Sequence, residues 1–467
     1  MSGSPAVVIG AGITGLVAAR DLALAGRSVT VVDPEPPGGK LRTSPFAGRL
    51  VDEGADAFLL RVPWARDLCA EVGLDGELVH PAARTAYLWS RGRLRPMPPQ
   101  LMGVPLDVEA TAASGVLSDE GLTRLLQDLE LPASHPTADT TIGSVVAGRL
   151  GDEALDRLVD PLVGGINAGD TRRLSLAAVV PQLDAAARDR GHASLVAAAG
   201  AQVGRARAAA GAAAGAGADE PPVFAAPRSG MGRLVDALQR DLAARGVEIA
   251  TERAVAVEDR AVALASGRVV ATDAVVVAVP AWAAAGLVEG VAPVAAAHLA
   301  AVEHASVAIV TVSVHPGDLG RPLDASGLLV PRVEGLLMTA CSWASAKWAH
   351  LSPEHGDGTV VLRASVGRAG DDRAFELDDA DLVAAVLADL ERTMALAGPP
   401  AGVRVSRWPA SFPQYAPGHL SRVDDVEADL ADRAPWVAVA GAALRGVGVP
   451  ACIASAHRAV ERLVAQP

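Results

Sequence analysis

The sequence predicts an α/β fold, α+β overall, with one domain built on a parallel sheet, a second on a mixed sheet and a third made of helices. Three observations predict it. Residues 6–9 form a β-branched run that precedes a glycine-rich turn and a helix, the order of a βαβ unit. Short apolar runs alternate with polar residues across 305–365, a pattern typical of a sheet. Apolar residues recur at helical spacing across 141–187.

Composition excludes several classes of protein. Half of the 467 residues are hydrophobic, which is too many for a disordered chain, and the length suits two or three domains. The net charge of -13 argues against a nucleic-acid partner and against attraction to an anionic membrane. The uncharged run 274–288 is shorter than the ~20 residues of a membrane span. We therefore expect no nucleic acid and no stable membrane insertion.

Cysteine usage indicates the compartment. The three cysteines lie far apart and form neither a disulfide framework nor the spacing of a metal site. The uncharged N-terminal stretch lacks the basic region of a signal peptide. A reduced, cytoplasmic setting with no metal fits best. The oligomeric state cannot be read from the sequence.

The first turn carries the pattern GxGxxG, formed by Gly10, Ala11, Gly12, Ile13, Thr14 and Gly15. Gly10 permits the tight turn, Gly12 a close approach to a pyrophosphate, and Gly15 close packing of helix on strand. The helix N-terminus offers unpaired N–H groups to phosphates. Asp33 ends the second strand, where a carboxylate binds a ribose diol. These features predict a Rossmann-like dinucleotide-binding domain; the alternative is an ordinary glycine-rich turn.

The segment after Asp33 favours FAD among the dinucleotides. Gly38 and Gly39 let the chain pass close to the pyrophosphate and ribityl groups, and Lys40 or Arg42 would lie near the phosphates. Lysine is scarce in this chain, so a lysine at this point weighs against the alternative, a plain turn with a solvated side chain.

A second glycine-rich segment, 441–450, separates the last predicted strand, 436–440, from a closing helix over about 451–464. The N-terminus of that helix would face the N1/C2=O edge of a flavin. Its dipole would stabilise the negative charge of a reduced ring by ~0.3–1 kcal/mol. A packing helix with a glycine-rich lead is the alternative.

The remaining elements follow in order. Helices are expected at 63–80, 117–130, 231–245 and 378–396, and strands at 247–249, 254–257, 269–270, 275–279 and 403–405. Residues 196–222 are nearly all alanine and glycine, and their glycines predict a flexible connector. Pro409, Pro413 and Pro417 indicate a loop. The expected domains are 1–80, 225–282 and 434–467 for a discontinuous FAD-binding domain, 96–200 for a helical domain, and 83–95 with 285–432 for a substrate-binding domain.

Several segments resemble a known family. The N-terminal GAGITGL, the PGGKLRT segment and the GVGVP terminus resemble the flavoprotein amine-oxidase superfamily. Within it, longer stretches resemble the porphyrinogen oxidases over essentially the whole chain: 159–170 with 174–175, 229–234, 345–348, 407–409 and 414–420. The likeness is greatest to oxygen-dependent coproporphyrinogen III oxidases of Gram-positive bacteria, and oxidases of protoporphyrinogen IX share most of these motifs. Asn167 stands where the family usually has a tyrosine, which leaves the shape of the substrate wall open.

The resemblance implies an FAD-dependent oxidase with non-covalent FAD. Besides the residues of the first turn, the implied cofactor contacts are Asp33, Pro34, Gly39, Lys40, Gly54, Ala55, Asp56, Ala57, Val255, Trp408, Gly441, Val447, Gly448 and Val449. The implied reaction is the six-electron oxidation of coproporphyrinogen III to coproporphyrin III in haem biosynthesis. It would take three cycles of hydride transfer to flavin N5 with reoxidation by O₂ to H₂O₂. No catalytic acid or base is identified, and a transient hand-off to a metal-inserting enzyme is expected.

The substrate of such an enzyme carries four propionates, so an acidic protein must supply local positive charge, best as arginine forks. The candidates are Arg61, Lys347, Arg363 and His419, together with Asn167 on the substrate wall. Each cation has a surface or structural alternative. Lys347 is preferred because the chain has only one other lysine.

Three other functions stay open. Protoporphyrinogen IX oxidation shares the motifs. An amine or polyene oxidase of the same superfamily is weakened for amines by the aromatic cage such enzymes use, because the chain has two tyrosines. A flavin-binding protein without turnover is the third alternative, although the nucleotide motifs are intact.

Overall fold

The computed structural model describes residues 3–214 and 222–465. Its centre is a five-stranded parallel sheet, and the strands run in the spatial order Glu248–Ala250, Ser28–Val32, Pro5–Ile9, Ala274–Val277 and Val437–Val439. Successive side chains of a strand point to opposite faces. Ala6 and Val8 accordingly join one apolar core, and Val7 and Ile9 join another. The predicted βαβ unit and its later strands are therefore present.

Helices cover both faces of this sheet, as a parallel sheet requires. The cores assign Ile13–Leu24, Gly232–Ala244 and Val449–Val464 to one face, and Ala281–Val288, Pro293–Ala300 and His419–Arg433 to the other. Because the sheet is assembled from the start, middle and end of the chain, the glycine-rich segments at both ends of the sequence meet at its carboxyl edge.

A second, seven-stranded sheet is mixed. Its order is Gly402–Pro413, His304–Val314, Val360–Val366, Met338–Ser342, Gly327–Leu329, Tyr87–Ser90 and Arg93–Pro96. All neighbours are antiparallel except Gly327–Leu329 and Tyr87–Ser90. The helix Asp379–Met394 packs its apolar side chains into the core of this sheet.

The third part is helical, with helices Val108–Ser114, Asp119–Leu126, Ile142–Leu150, Asp152–Ala154, Gly165–Asn167, Leu176–Val179, Pro181–Ala187 and Leu195–Ala214. Leu155–Gly164 is a π-helix that contains Pro161. Proline lacks the N–H that an α-helical hydrogen bond needs, which disfavours the tighter ladder there. The buried Asp128–Arg149 pair fastens this part internally: Arg149 Nε lies 2.5 Å from Asp128 Oδ1.

The connector expected over 196–222 is helical as far as Ala214, so the expectation that glycine breaks the helix there was wrong. Val196 and Ala199 are buried in the core of the helical part. Ser194 Oγ accepts the N–H of Ala197 at 3.1 Å and caps the helix. Burial, a cap and the helix preference of alanine outweigh the glycines. Residues 215–221 of the predicted connector lie outside the described residues.

The loop expected around Pro409 and Pro413 is instead the second half of the strand Gly402–Pro413. This strand lies at the edge of the seven-stranded sheet, where a proline forfeits no ladder hydrogen bond. Gly418, with φ +81°, then starts the helix His419–Arg433, which the sequence analysis did not predict.

Smaller elements complete the chain. They are the strands Thr43–Phe46, Arg49–Asp52, Phe58–Leu59, Leu78–Val79, Gln100–Leu101, Val104–Pro105, Phe224–Pro227, Ala254–Glu258, Ala261–Leu264 and Val269–Ala271, and the helices Trp64–Glu71, Ala344–Lys347 and Arg373–Glu376. No helix in the described ranges is long and apolar enough to cross a membrane. The domain boundaries proposed from the sequence stay a prediction.

Candidate active site

A cavity of about 540 Å³ lies where the carboxyl edge of the parallel sheet meets the seven-stranded sheet. Parallel sheets bind their ligands at this edge. One half of the wall comes from the glycine-rich turns of the sheet, and the other from the π-helix and the strands of the second sheet.

The first turn shows why three glycines are needed. Gly10 has φ +106°, and a Cβ there would lie 2.7 Å from the oxygen of Ala278. A Cβ on Gly15 would lie 1.8 Å from the oxygen of Gly10, so helix and strand could not pack. A Cβ on Gly12 would meet nothing within 4 Å, because Gly12 borders the cavity. Gly10 and Gly15 serve the protein's own packing, whereas Gly12 leaves room for a ligand at the helix N-terminus.

Asp33 is held at the end of its strand by backbone donors. Its Oδ2 accepts the N–H of Ala11 at 2.7 Å, and its Oδ1 accepts the N–H of Glu35 at 2.9 Å. The N–H of Gly38 donates to the oxygen of Ala11 at 2.8 Å. The second glycine pair is thereby fixed beside the first turn, and the Asp33 carboxylate borders the cavity.

Lys40 projects into the cavity. Its side chain is accessible from the cavity but enclosed by protein, and this burial lowers the pKa of the ammonium group while the nearby Cys452 sulfur opposes the shift. Among the described residues, no side chain forms an ion pair or hydrogen bond with it. A cation held this way suits an anionic ligand such as a phosphate.

Trp408 forms an adjoining wall. Its Nε1 donates to the oxygen of Glu53 at 3.1 Å, and the Arg42 guanidinium lies 5.3 Å from the centre of its ring. A Cβ on Gly54 would lie 2.2 Å from the oxygen of Lys40 and 3.3 Å from the Trp408 ring. The glycine therefore lets three segments of chain meet at one point of the cavity wall.

The C-terminal glycine-rich loop closes the nucleotide half of the cavity, and the segment 414–420 holds it in place. Tyr415 Oη donates to the oxygen of Ala442 and accepts the N–H of Gly446 at 3.0 Å. The His419 ring stacks on Tyr415 with 4.0 Å between ring centres, and its Nε2 lies 2.7 Å from the oxygen of Leu444. This motif therefore positions the loop at the start of the last helix.

The other half of the wall is largely apolar. The π-helix and the residues after it contribute Pro161, Gly164, Gly165 and Ala168, and the second sheet contributes Val307 and Ile309. We call this half of the cavity, which lies beside the nucleotide half, the slot. Asn167 does not border the slot; it is buried and its Nδ2 donates to the oxygen of Val163 at 2.8 Å.

Most of the cofactor residues expected from the sequence border the cavity, namely Gly10, Gly12, Ile13, Thr14, Asp33, Gly39, Lys40, Gly54, Ala55, Trp408, Gly441, Val447 and Val449. Ala11, Gly15, Pro34, Asp56, Ala57, Val255 and Gly448 do not. Val255 is exposed on the strand Ala254–Glu258, where a bulge makes the pairing register skip it. Its contact with an adenine stays a prediction.

The structure does not bring the proposed substrate cations to the cavity wall. Lys347 Nζ and Arg363 lie 2.9 and 3.1 Å from Asp56 Oδ2, in a part-buried cluster behind the wall. Burial alone would raise the pKa of Asp56, but the two cations outweigh it and hold that pKa well below its usual range. Arg61 is exposed away from the cavity, and His419 is buried under the C-terminal loop. None of the four borders the cavity, and their contacts with a substrate stay a prediction.

Polar residues on the wall that were missed from the sequence include His304, Ser411 and Arg368. His304 Nδ1 lies 2.9 Å from the oxygen of Val302, and burial, with a contribution from Lys40, lowers its pKa. Ser411 Oγ and Arg368 Nε are buried without a hydrogen-bond partner. Each is a common residue type in this chain, and only the folding of the sheet brings them together.

The residues present fit a flavin nucleotide. Gly12 leaves a cradle at a helix N-terminus, Lys40 is a cation that no other described residue pairs with, and Asp33 presents a carboxylate where a ribose diol would bind. A nucleotide site that opens into an apolar slot at the carboxyl edge of a Rossmann-like sheet defines a flavin-dependent oxidoreductase.

The particular family follows from comparison. The chain belongs to the flavin-containing amine oxidoreductase family, whose model matches residues 13–464. It is 37% identical to the coproporphyrinogen III oxidase of Mycobacterium bovis, over 98% of this chain and 96% of that one. It is 33% identical to the coproporphyrinogen III oxidase of Bacillus subtilis, over 97% and 96% of the two chains. The resemblance to this superfamily seen in the sequence is confirmed.

A solved structure agrees. A protein from Exiguobacterium sp. 255-15, solved as a provisional protoporphyrinogen oxidase, superposes with a TM-score of 0.85 and 28% identity, covering 100% of both chains. The predicted fold class is therefore confirmed as well.

Proposed function

We propose that this protein is an FAD-dependent oxidase that converts coproporphyrinogen III to coproporphyrin III in haem biosynthesis. The observation that carries the proposal is the full-length likeness to proteins of that name, at 33% and 37% identity. The largely apolar half of the cavity beside the nucleotide half supports it, because most of the outer surface of a tetrapyrrole is apolar.

The residues that would hold FAD divide by chemistry. The helix N-terminus after Gly12 and Lys40 would bind the pyrophosphate, and Asp33 the ribose. Trp408 and the loop held by Tyr415 would enclose the ring system without a covalent bond. Bound FAD would accept two electrons in each of three cycles, with reoxidation by O₂ to H₂O₂, and so remove the six electrons and six protons of the substrate.

The chain's own part in the reaction is to bind, orient and keep water away. Pro161, Gly164 and Ala168 would form one face of the slot, and Val307 and Ile309 another. Because these side chains are small or apolar, they leave water no hydrogen-bond partner against that wall. No residue is assigned as proton acceptor.

Oxidation of protoporphyrinogen IX is the second candidate function, favoured by the Exiguobacterium structure. An amine oxidase is disfavoured, because such enzymes bind the amine in an aromatic cage and no tyrosine borders the described cavity. Its aromatic residues are Trp408 and Phe412, and the Tyr415 hydroxyl is hydrogen-bonded to the C-terminal loop. O₂ as acceptor, a cytoplasmic location and a transient hand-off of the product to a metal-inserting enzyme belong to the proposal.

One assay tests the proposal. The flavin-loaded protein is mixed in air with freshly reduced coproporphyrinogen III, protoporphyrinogen IX or a panel of amines, and porphyrin fluorescence and H₂O₂ are followed. We expect fastest gain of fluorescence with coproporphyrinogen III, with three H₂O₂ for each porphyrin. Faster turnover of protoporphyrinogen IX would exchange the two candidates, and no gain with either would overturn both. Heat denaturation should release intact FAD into the supernatant.

A further inference from the structure

Arg368 occupies an unusual position on the cavity wall. It follows the strand Val360–Val366 and borders the slot, yet it is only 6% exposed. Gly367, with φ +84°, makes the turn, and a Cβ there would lie 2.6 Å from the oxygen of Ser306. The chain thus needs a glycine to bring Arg368 to this point.

The Arg368 side chain has no hydrogen-bond partner within the described residues. Its Nε is buried and unpaired. The carboxylate in ion-pair range belongs to Asp371, whose Oδ2 lies 3.8 Å from that Nε, beyond hydrogen-bond distance. Arg373, on the same turn, already binds Asp371 with 2.8 Å between Arg373 Nη2 and Asp371 Oδ2. A buried guanidinium left without hydrogen bonds is costly unless a ligand supplies them.

The backbone around Arg368 is fixed before any ligand arrives. The N–H of Ala369 donates to the oxygen of Ala168 at 2.8 Å, and the N–H of Asp371 donates to the oxygen of Arg368 at 3.0 Å. Arg332 Nη2 lies 3.3 Å from the oxygen of Ala369. The backbone of this turn therefore needs no rearrangement when the guanidinium binds a ligand.

Positive charges outnumber negative charges around Arg368. Asp160 and Asp371 face it, as do Arg332 and Arg373, so two anions are matched by three cations. Asp160 Oδ1 is further occupied by the hydroxyl and N–H of Thr171, at 2.8 and 3.1 Å. Pro161, Gly164 and Ala168, which also border the cavity, carry no charge.

We propose that Arg368 is the carboxylate anchor of the substrate slot, and that its guanidinium fork binds one propionate of the tetrapyrrole. The inference rests on the proposed function and deepens it, because it names the residue that selects a carboxylate-bearing ring. The slot then combines an apolar wall, which suits the ring, with the Arg368 guanidinium, which suits a carboxylate and has no hydrogen-bond partner among the described residues.

The test measures binding of the product, coproporphyrin III, to the flavin-loaded protein by porphyrin fluorescence, with its tetramethyl ester as the neutral probe in the same detergent. Arg368→Gln should weaken coproporphyrin III binding by about 10- to 100-fold, the range of a charge-assisted pair, and leave ester binding unchanged. Arg368→Lys, which keeps the charge without the fork, should fall between. Arg240→Gln is the control: it removes an exposed arginine of the helix Gly232–Ala244 that does not border the cavity, and it should bind both probes as the parent does.

The thermal midpoint separates an anchor from a structural arginine. Because Arg368 donates no hydrogen bond within the described structure, Arg368→Gln should not lower the midpoint of the unliganded protein, whereas a structural role would lower it. Equal binding of coproporphyrin III by the parent and Arg368→Gln, with turnover of coproporphyrinogen III intact, would overturn the role of Arg368 alone. No binding of coproporphyrin III by the parent would overturn this role and the proposed function together.

Discussion

Gly12 and Gly15 belong to one motif but meet different demands. Gly15 is packed against the oxygen of Gly10, whereas Gly12 faces the cavity with extended backbone angles, φ -72° and ψ 179°, that any residue can adopt. Stability and cofactor binding are therefore separable within six residues of sequence.

A pair of alanine substitutions tests this separation. Gly12→Ala should change the free energy of unfolding of the cofactor-free protein by less than about 1 kcal/mol, and weaken FAD binding by about 10- to 100-fold because the methyl group enters the cradle. Gly15→Ala should cost about 3 kcal/mol, because its Cβ would lie 1.8 Å from a backbone oxygen. Thermal unfolding and flavin titration measure the two effects, and a large loss of stability in Gly12→Ala would contradict the assignment.

Asp56 is the acidic partner of two cations in the part-buried cluster behind the cavity wall. It forms ion pairs with both Lys347 and Arg363, and it accepts the N–H of Trp348 Nε1 at 3.5 Å. Removing its charge leaves two cations facing each other in a part-buried site, so Asp56→Asn should lower the free energy of unfolding by about 3 kcal/mol. Lys347→Met leaves Asp56 paired with Arg363 and should cost less.

Denaturant unfolding of both variants at equal FAD saturation makes the measurement. The same Lys347→Met variant should leave binding of coproporphyrin III unchanged, because Lys347 does not border the cavity. A selective loss of affinity for the tetracarboxylate would support Lys347 as a substrate residue.

At the scale of elements, the segment 414–420 acts as a clasp. Tyr415 and His419 hold the C-terminal loop, and Gln414 Nε2 donates to the oxygen of Asn167 at 3.1 Å. One short segment thereby ties the nucleotide half of the cavity to the helical part. The sequence shows the motif but not its partners, because they are backbone atoms brought from 25 or more residues away.

The two tyrosines of the chain supply a matched test of the clasp. Tyr415→Phe keeps the ring on His419 but leaves the oxygen of Ala442 and the N–H of Gly446 unpaired, so FAD affinity should fall by about 10-fold. Tyr87→Phe loses a hydroxyl that lies 3.3 Å from Asp324 and has no link to the cavity, so its affinity should equal the parent's. Flavin fluorescence quenching gives both constants, and equal values would contradict the clasp.

The elements also show how far the sequence alone reaches. Strand–turn–helix patterns with local glycine signals predicted the nucleotide half, because residues 10–40, which contain most of these signals, are close together in the sequence. The strand Gly402–Pro413 was missed because edge position, which makes Pro409 tolerable, is a tertiary property. Arg368 was missed for the same reason: 39 of the 41 basic residues are arginines, and nothing local distinguishes the one that the sheet turns into the cavity.

At the scale of the whole molecule, the net charge is negative but the cavity is bordered by basic residues. The chain carries -13, yet the basic residues Lys40, Arg42 and Arg368 border the cavity, and its two acidic residues, Asp33 and Glu35, lie together at the nucleotide end. In the proposed holoenzyme the pyrophosphate of FAD pairs with Lys40, so Arg368 is the cation that attracts a tetracarboxylate to the slot, while the molecule as a whole repels it. Which effect governs its approach depends on the distance over which charges act.

Ionic strength separates the two effects, since the Debye length is about 30 Å at 0.01 M and about 10 Å at 0.1 M salt. At low salt the substrate feels the whole molecule, whose net charge repels it. Near 0.1 M salt the distant charges are screened and the attraction by Arg368 remains, so kcat/KM for the tetracarboxylate should rise several-fold. At higher salt this attraction is screened as well, and kcat/KM should fall again. If kcat/KM instead declined steadily from the lowest salt, attraction by the slot would outweigh repulsion by the net charge at every ionic strength. That result would contradict the prediction that the two effects oppose each other.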